Sequence, residues 1–137
     1  MAEPPPFALQ GIDHIVLRVR TLASALAFYC DVLGCRVERE QPQLGLTQLR
    51  AGRSLIDLVT LEGPLGRAGP GGDAPNLDHF CLAVAPFEPA PLAQWLAAHG
   101  VSAAAPAARY GAAGEGPSVY IEDPEGNRIE LKGAAPG

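Results

Sequence analysis

Apolar and polar residues alternate along residues 12–19, I-D-H-I-V-L-R-V, and again along 77–84, L-D-H-F-C-L-A-V. A period of two is the mark of a half-buried strand. Four of the eight positions are identical, and apolar residues match apolar ones except at Arg18/Ala83. Each strand-like segment is followed by apolar residues at helical spacing. Leu22, Leu26, Tyr29 and Leu33 predict a first helix over 22–33, with Thr21 or Ser24 capping its start and Gly34 in the C′ position. Leu92, Trp95 and Leu96 predict a second over roughly 89–99, with Pro89 or Pro91 in its first turn and Gly100 after its end. Short extended pieces are expected after each glycine, at Cys35–Glu40 and Val101–Ala104. The halves also end alike. Residues 54–59 read S-L-I-D-L-V and 127–132 read N-R-I-E-L-K, with isoleucine and leucine bracketing a carboxylate in both. The order strand, helix, strand, strand, strand therefore occurs twice, and repetition on this scale governs the reading of everything else.

The repeat divides the chain into a tail at 1–10, a first module at 11–61, a Gly/Pro-rich linker at 62–76, a second module at 77–132 and a tail at 133–137. Residues 105–117 are Ala- and Gly-rich and read as a loop. Asp123-Pro124-Glu125-Gly126-Asn127 reads as a tight turn joining strand Ser118–Glu122 to strand Arg128–Lys132, with Pro setting one φ and Gly accepting a positive one. At 137 residues with 47% hydrophobic content, the chain is long and apolar enough for one packed domain. The net charge of −5 leaves no basic field for a nucleic-acid backbone. No apolar run nears the roughly 20 residues of a membrane span. Met1–Pro6 has no basic and apolar segments of a secretory signal. The three cysteines, Cys30, Cys35 and Cys81, lack metal-type spacing, so reduced thiols and a cytoplasmic location are expected.

Each half carries one histidine early in its first strand and one carboxylate in its last: His14 and Asp57, then His79 and Glu130. His14, Val16 and Arg18 share one strand face, while Ile15, Leu17 and Val19 share the other. His79 shares a face with Leu77 and Cys81, and Glu130 shares one with Arg128 and Lys132. Each of the four has an ordinary reading on its own, as a solvated strand residue or an ion-pair partner. Their recurrence at equivalent places in both halves is what sets them apart. A pseudo-twofold axis relating the halves would bring two imidazoles and two carboxylates together, a donor set suited to a divalent metal whose charge the two carboxylates offset. His99, at the end of the second helix, reads as a helix-terminal cap and not as a ligand.

The segments D-H-I-V-L-R-V, A-F-Y-C-D-V-L-G-C and S-V-Y-I-E-D-P-E-G-N-R-I-E-L give the chain, from Gly11 to Lys132, a resemblance to the vicinal oxygen chelate superfamily. That superfamily groups glyoxalase I, fosfomycin-resistance proteins, bleomycin-binding proteins, methylmalonyl-CoA epimerase and extradiol dioxygenases. The resemblance implies an α+β fold of two tandem βαβββ modules, each an open half-barrel sheet. It implies metal ligands at His14, Asp57, His79 and Glu130, with aspartate at 57 where glyoxalase I usually has glutamate. Within the superfamily the pattern is most similar to glyoxalase I. Arg18 then corresponds to an arginine that contacts glutathione; it lies on the His14 face about 13 Å along the strand. Leu61 stands where glyoxalase I has an asparagine that also contacts glutathione. Leucine makes no such hydrogen bond.

The implied activity is that of a metal-dependent lyase or isomerase acting on a small oxygen-chelating substrate, a thiol adduct among the candidates. The metal, Zn²⁺ or Ni²⁺, would act as Lewis acid while Glu130 moves the proton. Related readings on the same fold are an extradiol dioxygenase with Fe²⁺ or Mn²⁺, a fosfomycin-type thiol transferase with Mn²⁺, and a metal-free drug- or metabolite-binding protein. The resemblance also implies a homodimer in which each site takes His14 and Asp57 from one subunit and His79 and Glu130 from the other.

Overall fold

The computed structural model describes residues 12–66, 77 and 79–134 of the 137. Both tails before residue 12 and after 134, and most of the expected linker, lie outside the described residues. The first module runs β1 (His14–Val19), α1 (Leu22–Leu26) with a π-helical continuation (Ala27–Val32), β2 (Arg36–Gln41), a 3-10 turn (Pro42–Leu44), β3 (Leu46–Ala51) and β4 (Ser54–Thr60). The second runs β5 (Phe80–Ala83), α2 (Pro89–Ala98), β6 (Ala107–Gly111), β7 (Gly114–Glu122) and β8 (Arg128–Lys132). Each module folds into a four-stranded sheet, in the orders β1-β4-β3-β2 and β5-β8-β7-β6. The first strand of each lies parallel to the last, and the remaining pairs are antiparallel. The chain is thus α+β, with two tandem βαβββ modules. No helix among the described residues is long and apolar enough to cross a membrane.

Strand alternation decides where the core sits. Leu17 and Val19 of β1, Leu49 of β3, and Ile56 and Leu58 of β4 join Val119, Ile121, Ile129 and Leu131 of the second sheet in one buried cluster. Phe28 and Tyr29 from the first helical segment and Leu96 from α2 complete it. One face of each sheet is therefore spent on a core common to both modules, and the His14 and His79 faces point away from it. Polar ties fix this arrangement. The buried Tyr29 hydroxyl donates to Asp123 Oδ2 at 2.6 Å. Glu125 accepts from the Arg20 and Thr21 amides at 2.8 and 3.3 Å, at the start of α1. Trp95 Nε1 of α2 donates to Val32 O at 2.9 Å.

The Asp123–Asn127 turn forms as its residues suggest. Asp123 Oδ1 accepts from the Glu125 and Asn127 amides at 2.9 and 2.8 Å, and Gly126 takes a positive φ of 84°. Four expectations are corrected. The first helix is not regular over 22–33: after Leu26 it widens, and the Leu33 amide bonds back five residues to Phe28 O. Phe28 and Tyr29, 5% and 0% exposed, are both buried within this widened stretch. Thr21 is the N-cap but makes no side-chain cap bond; Glu125 serves its amide instead. Val101–Ala104 is not a strand, and the third-quarter strand falls later, at β6. Residues 105–117 are correspondingly no loop but most of the β6–β7 hairpin. Their small residues answer close packing. A Cβ on Gly116 would stand 2.5 Å from Gly133 O, and one on Gly111 would stand 3.1 Å from Lys132 Cε.

Tyr29→Phe removes the bond to Asp123 while keeping the ring, and should cost about 2 kcal/mol, the range of a hydrogen bond to a charged group; urea unfolding measures it. Burial pushes the Cys35 thiol up to about 11 from its ordinary 9.0. A folded pKa above the unfolded one gives stability that is whole below about pH 9 and lost as pH rises toward 11. The urea midpoint should fall across that window, and Cys35→Ala should flatten the fall.

Candidate functional site

The strand registers show how closely the halves repeat. In the first sheet Val16 lies opposite Asp57, two residues after His14. In the second, Cys81 lies opposite Glu130, two residues after His79. Histidine and carboxylate are thus diagonal neighbours on adjacent strands of one face in both modules, within reach of long side chains. On the third strand of each sheet, Gln48 lies opposite Asp57 and Tyr120 opposite Glu130.

The first half-site is open at its histidine and closed at its carboxylate. His14 is exposed and its Nδ1 lies 2.8 Å from Asp13 Oδ1. With Nδ1 as donor, Nε2 is left as the lone-pair nitrogen, the form a metal accepts. The hydrogen bond to Asp13 is the main cause that holds the His14 pKa above its ordinary value; burial opposes it, and the charges of Asp57 and Asp13 add to it. Asp57 is only 5% exposed. Gln48 Nε2 lies 3.2 Å from each of its oxygens and is its hydrogen-bond donor among the described side chains.

In the second half-site His79 Nε2 stands 3.3 Å from Glu130 Oε1, and Glu130 is 6% exposed. The His79 ring meets Tyr120 edge to face, with centroids 5.4 Å apart, and the Arg128 guanidinium lies 4.2 Å above the Tyr120 ring centre. Cys81 is exposed beside Glu130. Its thiol pKa is raised, first by burial and then by the Glu130 charge, with Lys132 opposing. Lys132 is buried on the same face, its ammonium donating to Gly114 O at 2.8 Å and Gly133 O at 3.2 Å.

The four expected ligands therefore stand as two pairs, one per sheet. Among the described residues of one chain, no group of three or more His, Cys, Asp or Glu is gathered as a metal cluster. Two imidazoles and two nearly closed-off carboxylates form a donor set that fits a divalent cation in chemistry, and one chain offers it as two halves. Arg18 is exposed on the His14 face, one row beyond Asp57, opposite Val59. Leu61 uses its amide on Val19 O at 3.2 Å. His99 is the C-cap of α2, with Nδ1 2.8 Å from Trp95 O and its ring against Trp95. Sequence reasoning did not single out Gln48 or Tyr120. Carrying the period of two through β3 and β7 would have put both on the ligand faces.

Several solved structures are similar to this chain. A virulence protein from Salmonella typhimurium is 27% identical, with a TM-score of 0.76 over 94% of this chain and 100% of that one. An integron cassette protein from the mobile metagenome of V. cholerae is 25% identical, with a TM-score of 0.75 over 94% and 98%. A lactoylglutathione lyase from Agrobacterium tumefaciens is 24% identical, with a TM-score of 0.63 over 96% of each chain, a likeness of fold. The family model described as Glyoxalase/Bleomycin resistance protein/Dioxygenase superfamily matches residues 11–131, which span both modules and all four candidate ligands. The chain belongs to that superfamily.

Proposed function

We propose that this protein is a metal-dependent lyase or isomerase of the glyoxalase I type, acting as a homodimer on a small molecule with two adjacent oxygens. The observation that carries the reading is the doubled pairing: His14 with Asp57 and His79 with Glu130, in matching register on two sheet faces turned from the shared core. Members of the superfamily typically bind divalent metals. Residues from one copy's first module and the other's second would complete the donor set. β1 and β5 each end the strand order of their sheets, with no strand paired on their outer side among the described residues. Ile12, Val16 and Leu77, 75%, 54% and 52% exposed, lie on or beside those edges and suit an interface between copies.

A divalent cation held by His14, Asp57, His79 and Glu130 supplies Lewis acidity to the two substrate oxygens; Zn²⁺ or Ni²⁺ suits the lyase chemistry, and Fe²⁺ or Mn²⁺ the dioxygenase chemistry of related proteins. Glu130 takes a proton from one substrate carbon and returns it to the next. His79 Nε2 lies 3.3 Å from that carboxylate, close enough for the two to share one ion. Arg18 meets an anionic part of the substrate at the far end of β1. Leu61 favours a second reading of the substrate alone: a thiol adduct or oxygenated acid other than a glutathione conjugate, since leucine offers no hydrogen bond there.

The purified protein should carry about one divalent metal per chain by elemental analysis, and His14→Ala and Glu130→Ala should each lose it. Assay with methylglyoxal and glutathione after loading with Zn²⁺ or Ni²⁺ tests the lyase reading by thioester absorbance; no thioester with either metal rejects lactoylglutathione lyase activity. Sharing of sites has its own test. A chain with His14→Ala and Asp57→Ala, co-expressed with one carrying His79→Ala and Glu130→Ala, should recover about a quarter of the wild-type metal, because mixed dimers regain one intact site. Sites built within one chain would recover none.

A further inference from the structure

The two half-sites differ in what braces them from the third strand. In the second sheet the residue opposite the carboxylate is Tyr120, and it packs against the imidazole of His79 and leaves Glu130 to the histidine. In the first sheet the corresponding residue is Gln48, and it packs against the carboxylate: its amide nitrogen sits 3.2 Å from both oxygens of Asp57. His14 is braced separately, by Asp13. The lattice of side chains on this face reads Val16, Asp57, Gln48, Arg39 across β1, β4, β3 and β2. Asp57 therefore has an apolar neighbour on one side and a single neutral donor on the other, in a place 5% exposed.

We propose that Gln48 is a positioning residue for Asp57, fixing the carboxylate's orientation so that its outward lone pairs face the open side of the sheet as a static ligand. The proposal rests on the metal-site reading above. Geometry supports it in three ways. An aspartate has one methylene less than a glutamate, so its reach from β4 is short and its orientation decides whether it meets an ion at all. A donor equidistant from both oxygens lies on the bisector of the carboxylate, fixes its plane, and leaves one further lone pair on each oxygen. The amide is neutral, so it orients Asp57 without neutralising the charge that a cation requires; a lysine or arginine in its place would compete with the ion. Asp57 thereby becomes the fixed member of the four, and Glu130, whose partner is an imidazole, the member suited to carrying a proton.

Cobalt(II) binding tests the assignment without any substrate. Wild type, Gln48→Met, Gln48→Asn and Gln41→Met are titrated with Co²⁺ and their visible d–d spectra recorded, with unfolding of the metal-free proteins as a control for folding. Gln48→Met keeps the length of the side chain and removes both donors. It should bind Co²⁺ about tenfold more weakly, with a changed d–d band, while its metal-free unfolding midpoint stays near wild type. Gln48→Asn, whose amide is drawn back by one methylene, should fall between the two. Gln41→Met, two rungs away on the outer strand of the same face, should match wild type in both readouts. Wild-type affinity and spectrum in Gln48→Met would overturn the proposal while leaving the metal site standing, and so would an equal loss in Gln41→Met. Absence of Co²⁺ binding by wild type would overturn the metal reading and this proposal together.

Discussion

The hydrogen bond between the Tyr29 hydroxyl and Asp123 is the contact on which the arrangement of the molecule turns. It joins a residue of the first module's helix to a residue of the second module's last turn, at a donor–acceptor distance of 2.6 Å in the buried interior. Low polarity around it makes the bond strong and makes its loss expensive. Burial and the Asp123 charge hold the tyrosine pKa far above its ordinary value, which favours the phenol as donor in this bond. Two residues along the same turn, Glu125 accepts the amides at the start of α1. A five-residue turn therefore grips one helix at its beginning and its middle. The modules are locked by their helix-bearing sides, and the two histidine-bearing faces are left outward.

That choice has an electrostatic consequence. Asp57 and Glu130 are almost closed to solvent, while the histidine-bearing strands beside them stay exposed at Val16 and Cys81. A buried carboxylate needs compensation. At Asp57 the chain supplies one neutral amide and a diagonal imidazole; at Glu130 it supplies His79. Such pairs are poorly matched as structural ion pairs, since an imidazole is a part-time cation. They are better matched as the halves of a site in which a doubly charged ion offsets both carboxylates and takes both imidazoles as neutral donors.

The fold was legible because its signals repeat. Alternation around His14 and His79 placed β1 and β5, and the duplicated Ile-acid-Leu pattern placed β4 and β8, so the four candidate ligands and their faces could be read from residue order. What escaped was set by tertiary contact. The π-helical stretch at Ala27–Val32, with Phe28 and Tyr29 both buried in it, carries no mark in the apolar spacing of 22–33. The glycines and alanines of 107–116 looked like punctuation, yet Gly111 and Gly116 are there to admit the Lys132 stem and the backbone of 133–134. Gln48 carried no signal of its own. Its significance depends on cross-strand register, which β3 acquires only by pairing with β4.

Comparison of the two modules position by position separates what the fold supplies from what the chemistry requires. Backbone register is the same in both: a histidine, then two residues on a partner lying opposite the acid. Side chains around that frame are not. Val16 corresponds to Cys81, Val59 to Lys132, Gln48 to Tyr120, and Arg18 to Ala83. The cation-bearing end of the first sheet is exposed Arg18, whereas the second sheet's Lys132 is buried and donates to two carbonyls, Gly114 O at the start of β7 and Gly133 O just after β8. Among the described residues the first module carries an exposed cation near the end of its first strand, and the second carries Ala83 at the matching place. A site assembled from one face of each kind would be pseudo-symmetric around the ion and lopsided beyond it. In the proposed isomerase that asymmetry would put the substrate's anionic end at Arg18 and its reacting carbons beside Glu130.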